Sequence, residues 1–319
     1  MNLKNQKILF IAPLFNGYEK HIKSAIEEQG GIVDFYPEKN KSRFLSLLQL
    51  VAPAVCVYLH KRHLQALIES VEQDYDILLI IKGEFLNTKF FECLLNKIRI
   101  KNKVLYQWDS VLNNPNTLVI QQYFDSVFTF DRDDANKYGF IYHPLFYIDL
   151  FERKANTTIE FDFFFIGVFH GDRHKELSKI KEYAKENNMT CYFKLYISLF
   201  NYLKCKLFDN DFAGVTLSDV IFKGVSILEV AELLHKSRFV VDIAHKQQSG
   251  LTIRTFEALG AGKKLITNNK NIKKEKFYDA NNVFFLDELN TLEDFPSPTA
   301  SSSIQNHTVK SWVNELFSG

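Results

Sequence analysis

The stretch SGLTIRTFEALGAGKKLITN, residues 249–268, joins a helical pattern to a strand pattern through two glycines. Apolar side chains recur at helical spacing along 253–260, so one face of this helix is expected to pack. Arg254 and Glu257 lie one turn apart on a second line, which leaves them available for another task. The run KKLIT at 263–267 has the composition of a buried strand. A helix that leads directly into a buried strand predicts a parallel α/β sheet.

The same alternation of short apolar runs and helical patterns extends over the rest of the chain, which is typical of βαβ units. Predicted strands occupy 7–13, 31–37, 76–83, 103–109, 126–131, 161–169, 190–198, 238–244 and 263–267. Predicted helices occupy 17–29, 40–51, 60–73, 88–99, 132–138, 171–187, 226–236, 251–259 and 307–317. The stretch from 199 to about 220 shows no regular pattern, and 294–303 is a loop by composition.

A proline and a polar run interrupt the alternation at 142–158, as expected of a connection between domains. The sequence therefore predicts an α/β protein with two Rossmann-like domains facing each other across a cleft. The first domain is expected to span 1–150 and the second 151–300. A tail helix is predicted within 301–319.

Composition excludes several classes of protein. The 39 Lys and Arg residues nearly balance 38 Asp and Glu, so the basic excess of a nucleic-acid-binding protein is missing. No apolar run approaches the roughly 20 residues that a membrane span needs. The four cysteines form no CxxC pair, which argues against a disulfide framework and a zinc site, and they are expected to be buried thiols in a reducing cytosol.

In open parallel sheets, ligands bind beyond the carboxyl ends of the strands, so the loop after 238–244 is the first place to look. Ser249 and Gly250 are expected at the start of the following helix, where free N–H groups and the helix dipole suit a phosphate. Arg254 could reach the same anion, and Glu257 suits sugar hydroxyls because a carboxylate accepts two hydrogen bonds. The alternative is an ordinary Arg254–Glu257 ion pair on a solvated face.

The segment also contains an R-x-F-E-A-x-x-x-G core. This core resembles that of GT-B-fold glycosyltransferases, above all the CgeB-like and the lipopolysaccharide or capsule groups. The segment 161–177 resembles the strand, loop and helix that open the C-terminal domain in these enzymes, and 106–110 is loosely similar. The residues that match the core are Arg254, Phe256, Glu257, Ala258 and Gly262.

The resemblance implies an enzyme that moves a sugar from a nucleotide-sugar donor to a hydroxyl of a bacterial surface glycan. Glu257 would bind the ribose of the donor, while Arg254 and the 249–252 backbone, with Thr252, would hold its diphosphate. Gly250 stands where many relatives have an acidic residue, so one sugar-binding carboxylate is missing. The domain 1–150 would present the acceptor, and the domain 151–300 would bind the nucleotide-sugar. Partners would be the donor and a glycan or lipid-linked glycan, and no nucleic acid. A lipid-linked acceptor would favour a cytoplasmic protein in peripheral contact with the inner membrane.

Two further cations are candidates for the donor site. Arg173, in the loop VFHGDRH, would supply a second positive charge to the leaving diphosphate. It could instead cap or pair within its own helix, beside Asp172. Lys223 lies in a loop that runs along the base in similar enzymes, although a loop lysine is usually only solvated.

The N-terminal half offers a general base and a loop for the acceptor. Asp109 ends the strand pattern at 103–109 and could deprotonate an acceptor hydroxyl, and Glu84 is a second candidate. An Asp in that position is more often a turn or cap residue. Asn16, Gly17 and Tyr18 follow the first strand, where a glycine allows close backbone approach; the alternative is a helix N-cap.

No DxD-like metal motif stands at a strand end. Asp131, Asp133 and Asp134 are expected to begin a helix, where acidic side chains favour the dipole. The sequence therefore predicts a metal-independent reaction with no cofactor, in which arginine and backbone amides replace the cation. His143 and His245 adjoin strand ends, where a lone histidine is usually structural.

Two rival functions stay open at this point. One is a non-catalytic nucleotide- or sugar-binding relative that keeps the fold. The other is a two-lobed sensor or sugar-phosphate enzyme, because a fold alone does not fix a function.

Overall fold

Two separate parallel sheets organise the chain. The computed structural model describes residues 3–40, 52–154, 157–169, 171–208, 212, 214–244, 248–291 and 303–318. The chain divides into unit 1, residues 1–145, 247–250 and 309–319, and unit 2, residues 146–246 and 251–308. Each unit contains one six-stranded sheet. The prediction of an α/β protein with two Rossmann-like domains is confirmed.

The sheet of unit 1 is wholly parallel, with strand order 2-1-3-4-5-6. Its strands are β1 Lys7–Ala12, β2 Ile32–Pro37, β3 Tyr75–Ile81, β4 Ile100–Gln107, β5 Ser126–Thr129 and β6 Ile141–Tyr142. Its first helices are α1 Tyr18–Glu28, α2 Pro53–Ser70, α3 Thr88–Lys97, α4 Thr117–Ile120 and α5 Arg132–Tyr138. Residues 8–12 and 77–81 are 0% exposed, as expected of central strands covered by helices on both faces.

The sheet of unit 2 is also wholly parallel, with strand order 12-11-10-7-8-9. Its strands are β7 Phe161–Val168, β8 Cys191–Tyr196, β9 Val220–Ile221, β10 Ser237–Asp242, β11 Lys264–Thr267 and β12 Val283–Phe285. Its helices are α6 Gly171–Glu186, α7 Leu199–Phe208, α8 Ile227–His235 and α9 Ile253–Gly260. The core is rich in aromatic rings, and Phe163 stacks on Phe239 with centroids 5.3 Å apart.

The last helix, α10 Val309–Leu316, belongs to unit 1 and packs against α1. Its Trp312 stacks on the ring of His143, and the Nε2 atom of that histidine lies 3.1 Å from the Trp312 carbonyl oxygen. His143 therefore anchors the tail helix, which is a structural role. His245 lies outside the described residues.

Most predicted elements are present, and the exceptions have physical reasons. Helix α2 begins at Pro53 instead of residue 60, because proline is favoured in the first turn of a helix. The region read as irregular contains α7, whose apolar side chains surround the helix and hide its periodicity. The helix predicted at 40–51 and the loop at 294–303 fall almost entirely outside the described residues.

The cysteine prediction is wrong in one respect. All four thiols are free, but Cys93 is exposed and the other three are half-buried. Burial raises the pKa of Cys191 to about 11. These thiols are therefore not core residues.

Candidate functional site

The carboxyl edge of the unit 2 sheet carries a cluster of charges around Asp242, the last residue of β10. Asp242 is 5% exposed and accepts hydrogen bonds at Oδ2 from the hydroxyls of Thr252 and Thr255, at 2.8 and 2.7 Å. Burial raises the pKa of Asp242, while the nearby charges of Arg254 and Arg173 oppose this shift. The cluster therefore joins one strand end to the first turn of α9.

Arg254 and Glu257 form an ion pair, with 2.7 Å between Nη1 and Oε2. The pair is not on a solvated face, since the side chains are only 19% and 3% exposed. Burial lowers the pKa of Arg254 to about 10, while the charge of Asp242 opposes this shift, and burial raises the pKa of Glu257. Arg254 is thus the more accessible member, with Glu257 packed behind it.

The start of α9 differs from the prediction. The helix begins at Ile253, and Thr252 is its N-cap, with its hydroxyl accepting from the Arg254 N–H at 3.2 Å. Ser249 and Gly250 precede the helix and lie in unit 1, where both N–H groups donate to the carboxylate of Asp131, at 3.0 and 2.9 Å. A diphosphate could contact these amides only by displacing Asp131.

Gly260 and Gly262, at the end of the helical part of the segment, are required by their surroundings. A Cβ atom on Gly260 would lie 2.6 Å from the ring of Tyr147. Gly262 has a φ of +66°, in the left-handed region that favours glycine, and it begins the turn into β11 as predicted. The packing face of α9 is also buried, since Phe256 is 0% exposed.

Arg173 bridges two strand ends of the same sheet. Its Nε donates to the carbonyl of Ile243 at 3.1 Å, and its Nη1 donates to the carbonyl of Val168 at 3.0 Å. Burial lowers its pKa, and the charge of Asp242 opposes the shift. Arg173 therefore joins the charge cluster of α9 instead of pairing only within its own helix.

Lys223 does not lie beside this cluster. It is exposed in the loop after β9, at the edge of the sheet, three strands from β10. With about 4.8 Å between neighbouring strands, that is a separation of roughly 14 Å.

The carboxyl edge of the unit 1 sheet brings both predicted bases together. Lys82 Nζ lies 2.8 Å from Glu84 Oε2 and 2.7 Å from Asp109 Oδ2. The three side chains are 23%, 37% and 32% exposed. The pKa of Lys82 is raised because these two carboxylates outweigh the opposing effect of its burial. Two carboxylates and one ammonium leave a net negative charge at this edge.

The backbone that carries Lys82 is strained and held by amide side chains. Lys82 has a φ of +72° and Gly83 of +64°. Such a conformation costs about 1–2 kcal/mol at a residue with a Cβ atom. The Lys82 carbonyl accepts from Gln107 at 2.7 Å and from Asn114 at 2.8 Å. The turn is therefore fixed by side chains from the end of β4 and from the segment that follows it.

The loop after β1 also has left-handed backbone, with φ of +50° at Asn16 and +90° at Gly17. Gly17 is the N-cap of α1, and Tyr18 is buried as the first residue of that helix. Both earlier interpretations of the loop therefore remain compatible with its geometry. Phe15 is 43% exposed and contacts Trp108, with ring centroids 5.5 Å apart.

A buried carboxylate lies beside the Lys82 turn. Glu38 follows β2, is 0% exposed and accepts a hydrogen bond from the backbone N–H of Phe85. Burial is the main cause that raises its pKa to about 7, and the charge of Glu84 adds to the shift. Glu38 also lines a cavity of about 1020 Å³ between the strand ends and α2, together with His60 and His63.

Asp131, Asp133 and Asp134 begin α5 as predicted. Asp131 is the N-cap and accepts from the backbone N–H groups of the other two, at 3.0 and 3.2 Å. Within the described part of the chain, no group of three or more His, Cys, Asp or Glu residues could hold a metal ion.

Sequence reasoning missed Asp242, Lys82 and Glu38. The rule that selects strand ends would have found all three, because each lies at or just beyond the end of a predicted strand. Asp242 and Lys82 were passed over in favour of the loop residues that follow them. The sequence around Glu38 does not indicate that this side chain is buried.

No family model matches the chain, and no curated protein matches it in sequence. Among solved structures, HepE from Anabaena in complex with UDP and glucose is similar over 98% of this chain and 98% of its own, with 12% identity and a TM-score of 0.58. The UDP-GlcNAc 2-epimerase of Methanocaldococcus jannaschii covers 97% and 99%, with 11% identity and a TM-score of 0.54. MnaA from S. aureus with UDP covers 97% and 94%, with 9% identity and a TM-score of 0.53.

These likenesses show that the chain shares the GT-B-like fold of the three proteins. Their low identity carries no residue-level correspondence. Of the helices described, none is long and apolar enough to cross a bilayer.

Proposed function

We propose that this protein is a glycosyltransferase that moves a sugar from a nucleotide-sugar donor to a hydroxyl of a bacterial surface glycan, of the lipopolysaccharide or capsule type. The observation that carries the proposal is the buried charge cluster of Asp242, Arg254 and Glu257 at the carboxyl edge of the unit 2 sheet. Open parallel sheets bind their ligands at this edge. The similarity of the fold to proteins solved with UDP supports a uridine nucleotide as the first donor to test.

Arg254 is the proposed contact to the donor diphosphate. Its side chain is 19% exposed, against 3% for Glu257, which holds it through Nη1. A guanidinium fixed by a carboxylate loses little conformational freedom when it binds phosphate oxygens. Glu257 remains the proposed ribose ligand, which requires the ribose to reach a side chain that is 3% exposed.

Arg173 is the proposed second cation for the leaving diphosphate. Its fixed position at two strand ends would supply positive charge without a metal ion, so the proposed reaction is metal-independent and needs no cofactor. Lys223, Ser249, Gly250 and Thr252 are weaker candidates, because the first lies at the far edge of the sheet and the other three already bind carboxylates.

Glu84 and Asp109 are the proposed bases for the acceptor hydroxyl. Lys82 pairs with both, yet one ammonium neutralises only one carboxylate. The remaining negative charge can accept the proton that the acceptor loses. The loop of Asn16, Gly17 and Tyr18 is the proposed acceptor contact. The resemblance to CgeB-like enzymes supports a cytoplasmic location, and a lipid-linked acceptor would place the protein in peripheral contact with the inner membrane.

A thermal-shift screen against UDP, GDP, CDP, ADP and their sugar conjugates tests the donor site. We expect stabilisation by one nucleotide, by several degrees, because a ligand that binds only the folded state raises its stability. Arg254→Ala should abolish that shift. Arg99→Ala is the matched control, since Arg99 is 93% exposed and pairs with Asp74 in unit 1. Absence of a shift with every nucleotide would contradict the proposal.

A non-catalytic nucleotide-binding protein is the second candidate, and the Lys82 pairings favour it. A protein that needed no base would lose nothing by holding both carboxylates on one lysine. Incubation with the stabilising donor, followed by NMR of the sugar, separates the two functions. Transfer or donor hydrolysis that is lost in Asp109→Asn or Glu84→Gln supports an enzyme, whereas an unchanged donor supports the binding protein. An epimerised sugar would point to the reaction named for the neighbouring epimerases.

A further inference from the structure

Helix α7 exposes an apolar face in unit 2. Its Leu199, Phe200, Leu203 and Leu207 side chains are 57%, 71%, 54% and 75% exposed, and Phe208 is 80% exposed. Soluble proteins scatter single apolar residues over their surface, but a contiguous group of this kind marks an interaction site. The opposite side of α7 holds it to the unit, because Tyr202 is buried against the rings of Phe212 and Phe222.

The positions of these side chains form one stripe. At about 100° per residue, Leu199, Leu203, Leu207 and Phe200 fall within an arc of ~100° along the helix. On the same wheel, Lys206 lies on one side of this stripe and Lys204 on the other. Both lysines are exposed. An apolar stripe with cations on both flanks is typical of a helix that lies in a membrane interface.

The charged residues of α7 itself have one sign. The helix contains Lys204 and Lys206 and no acidic residue, and Asp209 and Asp211 come after its last residue in the sequence. Beyond Phe222, which contacts Tyr202 and is 40% exposed, the exposed Lys223 adds a further cation. Lysine ammonium groups can remain at the headgroups while their stems follow the apolar stripe. This complementarity selects an anionic lipid surface.

A second copy of the chain fits the stripe less well. Ten residues of helix are about 15 Å long, whereas a standard interface uses about 20–30 residues from each partner. A stable protein interface needs about 800 Å² from each partner. A bilayer needs no such complementary area, because the side chains enter it one by one.

We propose that the stripe of α7 and its flanking lysines dock unit 2 onto a membrane surface that contains anionic phospholipid. The inference rests on the proposed function for its purpose, which is to bring the enzyme to a lipid-linked acceptor. The docking itself is measurable without any sugar nucleotide. It also assigns Lys223 a role at the lipid surface, away from the donor site.

Sedimentation with vesicles of phosphatidylcholine, with and without phosphatidylglycerol, tests the docking on the full chain. We expect binding to the anionic vesicles that weakens with salt and falls about ten-fold or more in Phe200→Ser/Leu207→Ser, since each apolar side chain contributes to partition. Lys204→Gln/Lys206→Gln should remove the preference for phosphatidylglycerol. The matched control is Val57→Ser/Leu112→Ser, which changes two exposed apolar residues of unit 1.

A tryptophan placed in the stripe tests the docking without removing an apolar side chain, so that a loss of folding is not mistaken for a loss of binding. Phe200→Trp should show a blue-shifted emission on anionic vesicles, and Leu112→Trp should not. No binding to anionic vesicles, or binding that the α7 variants leave unchanged, would overturn the inference, as would a dimer that these variants dissociate. The nucleotide shift measured on the same samples separates the two proposals. If vesicles bind while no nucleotide stabilises the chain, only the proposed function fails.

Discussion

The two sheets end in similar edges, but their charged groups differ in how deeply they are buried. At the unit 2 edge, Glu257 and Asp242 are 3% and 5% exposed. At the unit 1 edge, the side chains of Lys82, Glu84 and Asp109 are 23–37% exposed. Two wholly parallel sheets therefore carry different electrostatic environments, one shielded from solvent and one in contact with it.

The difference determines what each edge contributes to the protein. A buried charge depends on its partner, because water cannot replace that partner when it is removed. The half-exposed triad of Lys82, Glu84 and Asp109 contributes little to stability, since solvent screens each ion pair. Substitutions of Lys82, Glu84 or Asp109 should therefore report on chemistry, whereas substitutions in the buried cluster of unit 2 change folding as well as binding.

The largest effect is expected from Arg254→Ala. The substitution leaves the Glu257 carboxylate buried without its partner, which should lower the free energy of unfolding by about 3–5 kcal/mol. Urea unfolding followed by circular dichroism measures it, because both tryptophans, Trp108 and Trp312, lie in unit 1. Arg238→Ala is the control, as its pair with Asp162 is half-exposed and should cost less than about 1 kcal/mol. Equal losses in the two variants would mean that burial does not determine the cost of removing a charged partner.

A pH-dependent effect of similar size is expected at Glu38, the buried carboxylate of the unit 1 edge. Its pKa is about 7 in the folded chain, above the ordinary 4.5, because of burial. A raised pKa stabilises the fold fully below the unfolded pKa, and this contribution is lost as the pH rises through 7. Relative to Glu38→Gln, the wild type should lose about 3 kcal/mol between pH ~4.5 and pH ~8.

Tryptophan fluorescence during urea unfolding reports this loss directly, since it observes unit 1. Glu92→Gln is the matched control, because that side chain is exposed on α3 of the same unit. Parallel stability curves of the wild type and Glu38→Gln across this pH range would show that Glu38 titrates normally.

Asp131→Asn should produce a smaller loss, of about 1–2 kcal/mol. Oδ2 of the carboxylate accepts from the N–H groups of Ser249 and Gly250, and Oδ1 caps α5. Asparagine has a carbonyl oxygen for only one of these two sets, so the other set loses its acceptor. We expect the affinity for the stabilising nucleotide to stay within about two-fold, because the proposed phosphate contacts are arginines. A marked gain in affinity would indicate that the diphosphate competes with Asp131 for these amides.

The sequence predicts only part of the unit 2 site, namely the residues that lie close together in the sequence. Arg254 and Glu257 are three residues apart on one helix, so their pairing follows from helical spacing. Their burial does not follow, because it depends on Phe256 and on Asp242 from the preceding strand. The engagement of Ser249 by Asp131, 118 residues away, has no local signal at all.

The unit 1 edge shows the same limit in another form. The rule of strand ends selects Glu84 and Asp109 correctly as neighbours, since their strands pair in the sheet. It does not predict that Lys82 joins them, because the direction of that side chain depends on a left-handed backbone that lysine rarely adopts. Helix α7 was not predicted, because apolar residues on both its buried and its exposed side hide the helical pattern in the sequence.

The smallest effect separates backbone strain from charge at Lys82. Lys82→Ala and Lys82→Gly both remove the ion pairs with Glu84 and Asp109, so these lost contacts cancel when the two variants are compared. Only glycine adopts a φ of +72° without a steric cost, and Lys82→Gly should be the more stable by about 1 kcal/mol. Tryptophan fluorescence during urea unfolding measures the difference. Equal stabilities would mean that the turn relaxes once the lysine is gone, so that the triad itself, and not the amide side chains of Gln107 and Asn114, imposes the left-handed backbone.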